Sequence, residues 1–131
     1  MKSPPDPSNK RFKILIIEDD YANRFFFAEY LKYCGFEILA LADGLNLELH
    51  LQSFQPHLLL LDIGLPEIDG YALLKQVRKS EDWYHLPVIV VSGYAFDEDQ
   101  RKAFSLGAQQ YFVKPVRPRE LLSGVRDLLH G

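Results

Sequence analysis

The sequence predicts a doubly wound α/β domain with a five-stranded parallel sheet covered by helices on both faces. From Phe12 onwards, strand-like runs alternate five times with helix-like segments, which is the pattern of strand–helix units in series. Several strand-like runs are apolar throughout, as strands buried on both faces are. The 131 residues, 47% of them hydrophobic, suit one domain with a substantial core.

Each predicted strand is a short apolar run that ends at polar, glycine or proline residues. The predicted strands are 12–17, 36–41, 58–61, 88–91 and 110–113, and the predicted helices are 21–34, 44–54, 70–80, 97–106 and 118–129. Asp20 or Asp19 would cap the first helix, and Asp43 would cap the second. Gly35 follows the first helix, where glycine commonly ends helices.

The first 11 residues differ in composition from the rest of the chain. They hold three of the eight prolines and no apolar residue after Met1, so we expect residues 1–11 to form a flexible tail and residues 12–131 the domain. Three basic residues and one acidic residue give the tail +2, and the formal −3 of the chain leaves −5 on the domain. This acidity argues against direct nucleic-acid binding, which requires clustered basic residues.

Cysteine content and hydropathy restrict the class of protein further. The single cysteine, Cys34, excludes an internal disulfide and a zinc site built from several thiolates. No apolar run approaches the ~20 residues of a membrane-spanning helix, and no signal-peptide pattern opens the chain. We therefore expect a cytoplasmic protein without a membrane partner.

Polar side chains follow four of the five predicted strands, at the sheet edge where doubly wound folds bind ligands. Glu18 and Asp19 follow the first strand and Asp62 follows the third, which would gather several carboxylates. Oxygen ligands of this kind suit Mg²⁺, which retains water molecules that a phosphate can replace. Acidic residues also end strands and cap helices without a metal, and the acidic run 18–20 alone leaves both interpretations open.

Asp62 is the more specific signal, because this charged residue ends a run of four leucines. A carboxylate beside Mg²⁺ can attack a phosphoryl group and become an aspartyl phosphate. Lys114 and Ser92, after the fifth and fourth strands, would offer an ammonium and a hydroxyl to the phosphoryl oxygens. A strand-end lysine is often only solvated and a serine often part of a turn, so the combination carries the prediction. The predicted chemistry requires that the Asp62 side chain is not buried and that it lies close enough to Asp19 for both to bind one metal ion.

Four segments in the right order resemble bacterial response-regulator receiver domains and together span about residues 12–130. They are the acidic pair with its strand (residues 14–20), the phosphoacceptor loop (61–70), the switch hydroxyl (90–93) and the lysine segment (107–115). The resemblance implies a flavodoxin-like fold with strand order 2-1-3-4-5. It implies that Asp62 is phosphorylated, and that Glu18, Asp19, Asp62 and the backbone carbonyl of Gly64 bind Mg²⁺.

The resemblance also implies a switch. Lys114 would contact the phosphoryl group, and Ser92 would reorient towards it. Tyr111 would move inwards when Ser92 moves, which would change the surface formed by the fourth helix, fifth strand and fifth helix for a downstream effector protein. A cis peptide bond is implied between Lys114 and Pro115.

By the same resemblance, the phosphate donor would be a histidine kinase or a histidine phosphotransfer protein. Helical geometry places Phe25 opposite the apolar stripe of the first helix, and with Ala22 it would form part of the docking patch for that donor. A single exposed apolar residue is also common without any partner. Whether the domain forms a homodimer is left open by the sequence.

Several alternatives fit part of this pattern. The chain could act alone, or it could be the receiver fragment of a larger response regulator or hybrid kinase. A haloacid-dehalogenase-like phosphohydrolase also forms an aspartyl phosphate, but it needs a second acid where this chain has Gly64. The three acids would repel flavin mononucleotide, which argues against a flavodoxin-type binder, and an unphosphorylated scaffold would not need Asp62, Asp19 and Lys114. We therefore expect no enzyme activity beyond self-catalysed phosphoryl transfer and autodephosphorylation.

Overall fold

The computed structural model describes residues 12–65 and 69–130, which form five strands and five helices in strict alternation. The elements are β1 (Lys13–Ile17), α1 (Tyr21–Tyr33), β2 (Glu37–Leu41), α2 (Leu47–Phe54), β3 (Leu58–Asp62), α3 (Gly70–Lys79), β4 (Val88–Ser92), α4 (Asp97–Ser105), β5 (Gln110–Val113) and α5 (Pro118–Leu129). All strand pairs are parallel, and the order is β2-β1-β3-β4-β5. The fold class and the strand order are thereby confirmed. The expected tail of residues 1–11 lies outside the described residues.

Helices cover both faces of the sheet, so the domain has three layers. Every residue of β3 and β4 is buried, as is every residue of β1 except Lys13, which explains why these runs are apolar throughout. One core cluster packs the sheet against α2, α3 and α4, and the other packs it against α1 and α5. Among the described helices, none combines the length and the apolar character needed to cross a membrane.

The first helix begins and packs as predicted. The Asp20 side chain caps α1 by accepting a hydrogen bond from the Asn23 N–H at 2.9 Å. Phe27 and Leu31 are buried on the sheet side, whereas Phe25 points outwards and is 56% exposed. The amphipathic pattern of α1 is therefore confirmed.

The second helix begins later than predicted. α2 starts at Leu47, after Asn46, which has a left-handed φ of 57° and makes no side-chain cap. The predicted cap, Asp43, instead accepts a hydrogen bond from the Leu45 N–H at 2.9 Å. Aspartate side chains form such turns in competition with helix, and this turn delays the start of α2.

Candidate functional site

The register of the strands brings four polar residues to one edge of the sheet. β1 and β3 end side by side, so Glu18 and Asp62 are neighbours at their carboxyl ends. β4 ends at Ser92, whose carbonyl accepts a hydrogen bond from the Lys114 N–H at 2.8 Å just beyond β5. The sheet thus collects at its carboxyl edge the residue types that the sequence placed after separate strands.

Three carboxylates form a compact cluster at this edge. Glu18, Asp19 and Asp62 each place one carboxylate oxygen within 4.8 Å of the other two, and of the three only Asp19 is exposed. Glu18 Oε1 is buried without an aligned hydrogen-bond donor, although Lys114 Nζ lies 2.8 Å from it. An all-oxygen donor set with an incompletely satisfied buried carboxylate fits a hard divalent cation such as Mg²⁺.

Lys114 lies between the two buried carboxylates. Its Nζ is 2.8 Å from Glu18 Oε1 and 3.1 Å from Asp62 Oδ2. The other oxygen of Asp62, Oδ1, accepts a hydrogen bond from the Gly64 N–H at 2.9 Å. Asp62 is therefore held by a cation on one side and a backbone amide on the other.

These contacts separate the proton affinities of the two buried acids. Burial raises the pKa of Glu18 to about 7, the neighbouring Asp62 adds to the rise, and Lys114 opposes it. Burial also favours the neutral form of Asp62, but the Gly64 N–H, Glu18 and Lys114 outweigh it and hold the pKa of Asp62 below its usual value. Burial likewise disfavours the charged form of Lys114, but the two carboxylates raise its pKa overall. The nucleophile candidate Asp62 is thus the more readily ionised member of the pair.

Asp62 is more buried than the sequence led us to expect. Its side chain is only 4% exposed, because Gly64 covers Oδ1 and Lys114 covers Oδ2. The expectation of an accessible side chain is therefore wrong, whereas the expected proximity to Asp19 is confirmed. Part of the cover is the Lys114 side chain, which is 20% exposed and has a flexible four-carbon stem.

The backbone of Tyr94 joins the two predicted switch residues. Ser92 Oγ accepts a hydrogen bond from the Tyr94 N–H at 2.9 Å, and Tyr111 Oη donates to the Tyr94 carbonyl at 2.8 Å. Ser92 is fully buried, whereas Tyr111 is half-buried. Burial raises the pKa of Tyr111, which keeps its hydroxyl a donor at neutral pH. The Lys114–Pro115 peptide bond is cis, as the resemblance implied.

The start of α1 lies against the acidic cluster and exposes apolar side chains. Ala22 and Phe25 are both exposed, and the Phe25 ring stacks on Tyr21 with 6.1 Å between centroids. Arg24 Nη1 donates to the backbone carbonyls of the two residues that follow β1, at 2.9 and 3.2 Å. Sequence reasoning missed Arg24, although a cation one turn beyond three acids was a usable signal.

Comparison with known proteins gives a family match over most of the chain. The family model described as "Response regulator receiver domain" matches residues 14–126. A "Probable transcriptional regulator ycf27" from Cyanophora paradoxa is 34% identical over 121 residues, which cover 92% of this chain and 49% of that protein. The chain spans about half the length of the curated relatives it matches.

Solved structures give the same result. A CheY-like response regulator receiver domain protein from Methanospirillum hungatei JF-1 is 31% identical with a TM-score of 0.82, and the match covers 91% of this chain and 94% of that one. The Mn(2+)-bound form of response regulator Rcp1 is 28% identical with a TM-score of 0.73, covering 89% and 91% of the two chains. Together with its carboxylate and lysine edge, these matches show that the chain belongs to the response regulator receiver domain family.

Proposed function

We propose that this domain is the phosphoacceptor of a two-component system or phosphorelay, and that Asp62 is the residue phosphorylated. The observation that carries the proposal is the position of Lys114 between Glu18 and Asp62, beside Asp19, at the end of β3. This arrangement supplies an ionised nucleophile, a cation for phosphoryl oxygens and oxygen ligands for a metal.

The phosphoryl group would come from a phosphohistidine of a histidine kinase or phosphotransfer protein. An Asp62 carboxylate oxygen attacks the phosphorus, so that an O–P bond forms while the N–P bond to the imidazole breaks. The imidazole nitrogen keeps the bonding electron pair and then takes a proton from water. Lys114 turns its ammonium from Asp62 Oδ2 to the incoming phosphoryl oxygens, because the Asp62 carboxyl group loses its negative charge when it becomes an acyl phosphate.

Mg²⁺ is the cofactor we propose for this transfer. Glu18, Asp19, Asp62 and the backbone carbonyl of Gly64 would hold it, and their oxygen atoms suit a hard cation. When bound, the ion neutralises charge on the phosphoryl oxygens. The manganese-bound structure of Rcp1 supports a divalent cation in a relative of this similarity.

Phosphorylation would then redirect the hydrogen bonds around Tyr94. A phosphoryl group carries about −1.5 to −2 charge and new acceptor oxygens, which favour donation from the Ser92 hydroxyl. Ser92 Oγ would then leave the Tyr94 N–H, and movement of this backbone would displace the acceptor of Tyr111. The surface of α4, β5 and α5 would change for an effector protein. Tyr94, Phe96 and Phe104, which are 51%, 74% and 46% exposed, are available for that contact or for a homodimer.

The decisive experiment is incubation with Mg²⁺ and acetyl phosphate, followed by intact mass measurement. We expect the wild type to gain one phosphoryl group and Asp62→Asn to gain none, because the amide cannot act as the nucleophile. Asp127→Asn, which changes an exposed acid on α5, is the matched control and should behave as wild type. A wild type without added mass, or equal gains in wild type and Asp62→Asn, would contradict the proposal.

We also propose that Ala22 and Phe25 belong to the docking patch for the phosphate donor. Removal of an interface aromatic commonly costs more than 1 kcal/mol, so Phe25→Ala should slow transfer from a phosphorylated partner about tenfold. The rate with acetyl phosphate should stay unchanged, since a small phosphate donor needs no docking patch. Leu49→Ala, which removes another exposed apolar side chain, serves as the control. Equal partner rates for Phe25→Ala and wild type would reject this patch.

A second candidate is the same phosphoacceptor role inside a larger regulator or hybrid kinase. The observation in its favour is that the matched regulators are about twice as long as this chain. In either case we propose no direct nucleic-acid contact by this domain, because residues 12–131 carry −5. Turnover of external phosphate esters is not proposed, because Gly64 provides no acid side chain. Residence in the cytoplasm stays a prediction.

A further inference from the structure

α4 is attached to α3 by polar contacts more than by burial. Ala103 is the single buried residue of α4. Tyr71, in the first turn of α3, donates its hydroxyl to the Asp99 carbonyl at 3.3 Å, and Lys102 Nζ lies 4.1 Å from the centre of the Tyr71 ring. Burial raises the pKa of Tyr71 to about 12, with Asp99 adding to the rise, so the hydroxyl stays a hydrogen-bond donor even well above neutral pH. One aromatic residue of α3 thus holds two groups of α4.

The same residue is fixed to the end of β3, where Asp62 lies. Asp69 Oδ1 accepts a hydrogen bond from the Tyr71 N–H at 3.0 Å, and the Gly70 N–H donates to the Ile63 carbonyl at 3.3 Å. A Cβ atom at Gly70 would overlap Ile63 Cα and lie 2.8 Å from the Asp62 carbonyl oxygen. No space separates the start of α3 from the end of β3, so a displacement at Asp62 and Ile63 must move Tyr71.

The opposite end of α4 is tied to the end of α3 by Arg78. Its Nε and Nη2 donate to the Gly107 carbonyl at 3.1 and 2.6 Å, just after α4. Its Nη1 donates to the carbonyls of Tyr84 and Leu86 at 3.1 and 2.7 Å, on the way into β4. Several hydrogen bonds from one half-buried guanidinium to neutral acceptors fix this end of α4 relative to the sheet.

We propose that Tyr71 is a positioning residue that couples the end of β3, where Asp62 lies, to α4, while Arg78 holds the far end of α4 in place. A shift at the start of α3 then moves the first half of α4 about its fixed end. The coupling is a property of the fold itself, and its use as a signal rests on the proposed function. It runs through α3 and is separate from the connection through Tyr94.

The coupling is tested from the α4 side with Lys102→Ala, which leaves α3 and the end of β3 unchanged in sequence. The readout is amide hydrogen exchange at Gly70 and Tyr71, measured by NMR on the full chain. The amides of β1 serve as an internal reference for global unfolding. Losing a cation–π contact of about 0.5–1 kcal/mol should raise exchange at these two amides about two- to fivefold. Arg101→Ala removes a neighbouring exposed cation of α4 and should leave them unchanged.

A second variant separates coupling from a general loosening of the domain. In a Tyr71→Leu background the effect of Lys102→Ala should vanish, because no ring remains beneath the ammonium. Equal exchange in Lys102→Ala and Arg101→Ala would overturn the inference, as would a Lys102→Ala effect that persists in Tyr71→Leu. If Tyr71→Leu does not fold, the comparison of Lys102→Ala with Arg101→Ala decides alone. Failure of the wild type to take phosphate from acetyl phosphate would defeat the proposed function and leave this measurement valid.

Discussion

The centre of the sheet and its β5 edge differ sharply in how far they bury their side chains. Every residue of β3 and β4 is buried, whereas α4 buries only Ala103 and β5 buries none. Glu18 and Asp62 extend from the buried centre, while Tyr111 and the exposed Phe104 belong to the edge. The two buried carboxylates proposed for chemistry therefore stand at the close-packed centre of the sheet, whereas Lys114 reaches them from the end of β5.

This difference suits the two tasks of a switch. Carboxylates that must hold a cation and receive a phosphoryl group need fixed positions, which close-packed strands provide. A surface that responds needs two arrangements of similar free energy, which few buried contacts make possible. The comparison can be tested by changing each region in turn.

The largest effect is expected from the core of the central strands. Leu60→Ala removes a fully buried side chain of β3 and should lower the free energy of unfolding by about 2–5 kcal/mol. Phe104→Ala removes a larger side chain from α4, but Phe104 is 46% exposed. This variant should lower the free energy of unfolding by well under half as much as Leu60→Ala. Urea unfolding of both variants measures the difference. Equal losses would show that α4 is packed as firmly as the central strands.

Metal binding should stabilise the site end of the sheet. At a Mg²⁺ concentration about 100 times its dissociation constant, the wild type should gain about 2.7 kcal/mol of stability over the chelator-treated protein. Asp19→Asn should lose most of that gain, because it removes one of the three clustered carboxylates. Asp20→Asn is the control, since asparagine also caps helices well. Urea unfolding with Mg²⁺ or with chelator measures the gain, and equal losses in the two variants would contradict the assignment of Asp19.

A smaller effect is expected where α3 meets the site. Gly70→Ala would place a methyl group against the Ile63 backbone, so we expect a loss of about 1–3 kcal/mol and slower phosphate uptake from acetyl phosphate. Gly93→Ala is the matched control on the loop after β4, because a Cβ atom there meets nothing within 4 Å. Chemical unfolding and intact mass measure both properties. If the two variants behave alike, close packing at Gly70 does not restrain the end of β3.

Sequence reasoning reached the fold because the relevant signals are local. Two-sided apolar runs such as 58–61 identify buried parallel strands without knowledge of their neighbours. The acidic cluster additionally needs β1 and β3 to be neighbours, which the family resemblance implied, because residues that end adjacent parallel strands lie close together. The late start of α2 was missed because Asp43 serves a cap and a turn equally well by composition.

The parts that could not be predicted depend on tertiary contacts. The burial of Asp62 depends in part on the position of the Lys114 ammonium, and no pattern in the sequence records that side-chain direction. Arg78 was not singled out because most of its polar partners are backbone carbonyls, which every residue possesses, and the Tyr71 hydroxyl likewise donates to a backbone carbonyl. Because any residue can supply such a carbonyl, the amino acid at the partner position does not reveal the contact.

The contacts at Tyr94 have a consequence for how this position tolerates mutation. Ser92 and Tyr111 are connected through its main-chain amide and carbonyl, so the side chain at 94 is not needed for the connection. Nineteen of the twenty amino acids retain that amide hydrogen, and only proline lacks it. We therefore expect most substitutions at position 94 to keep both hydrogen bonds, the one to Ser92 and the one from Tyr111.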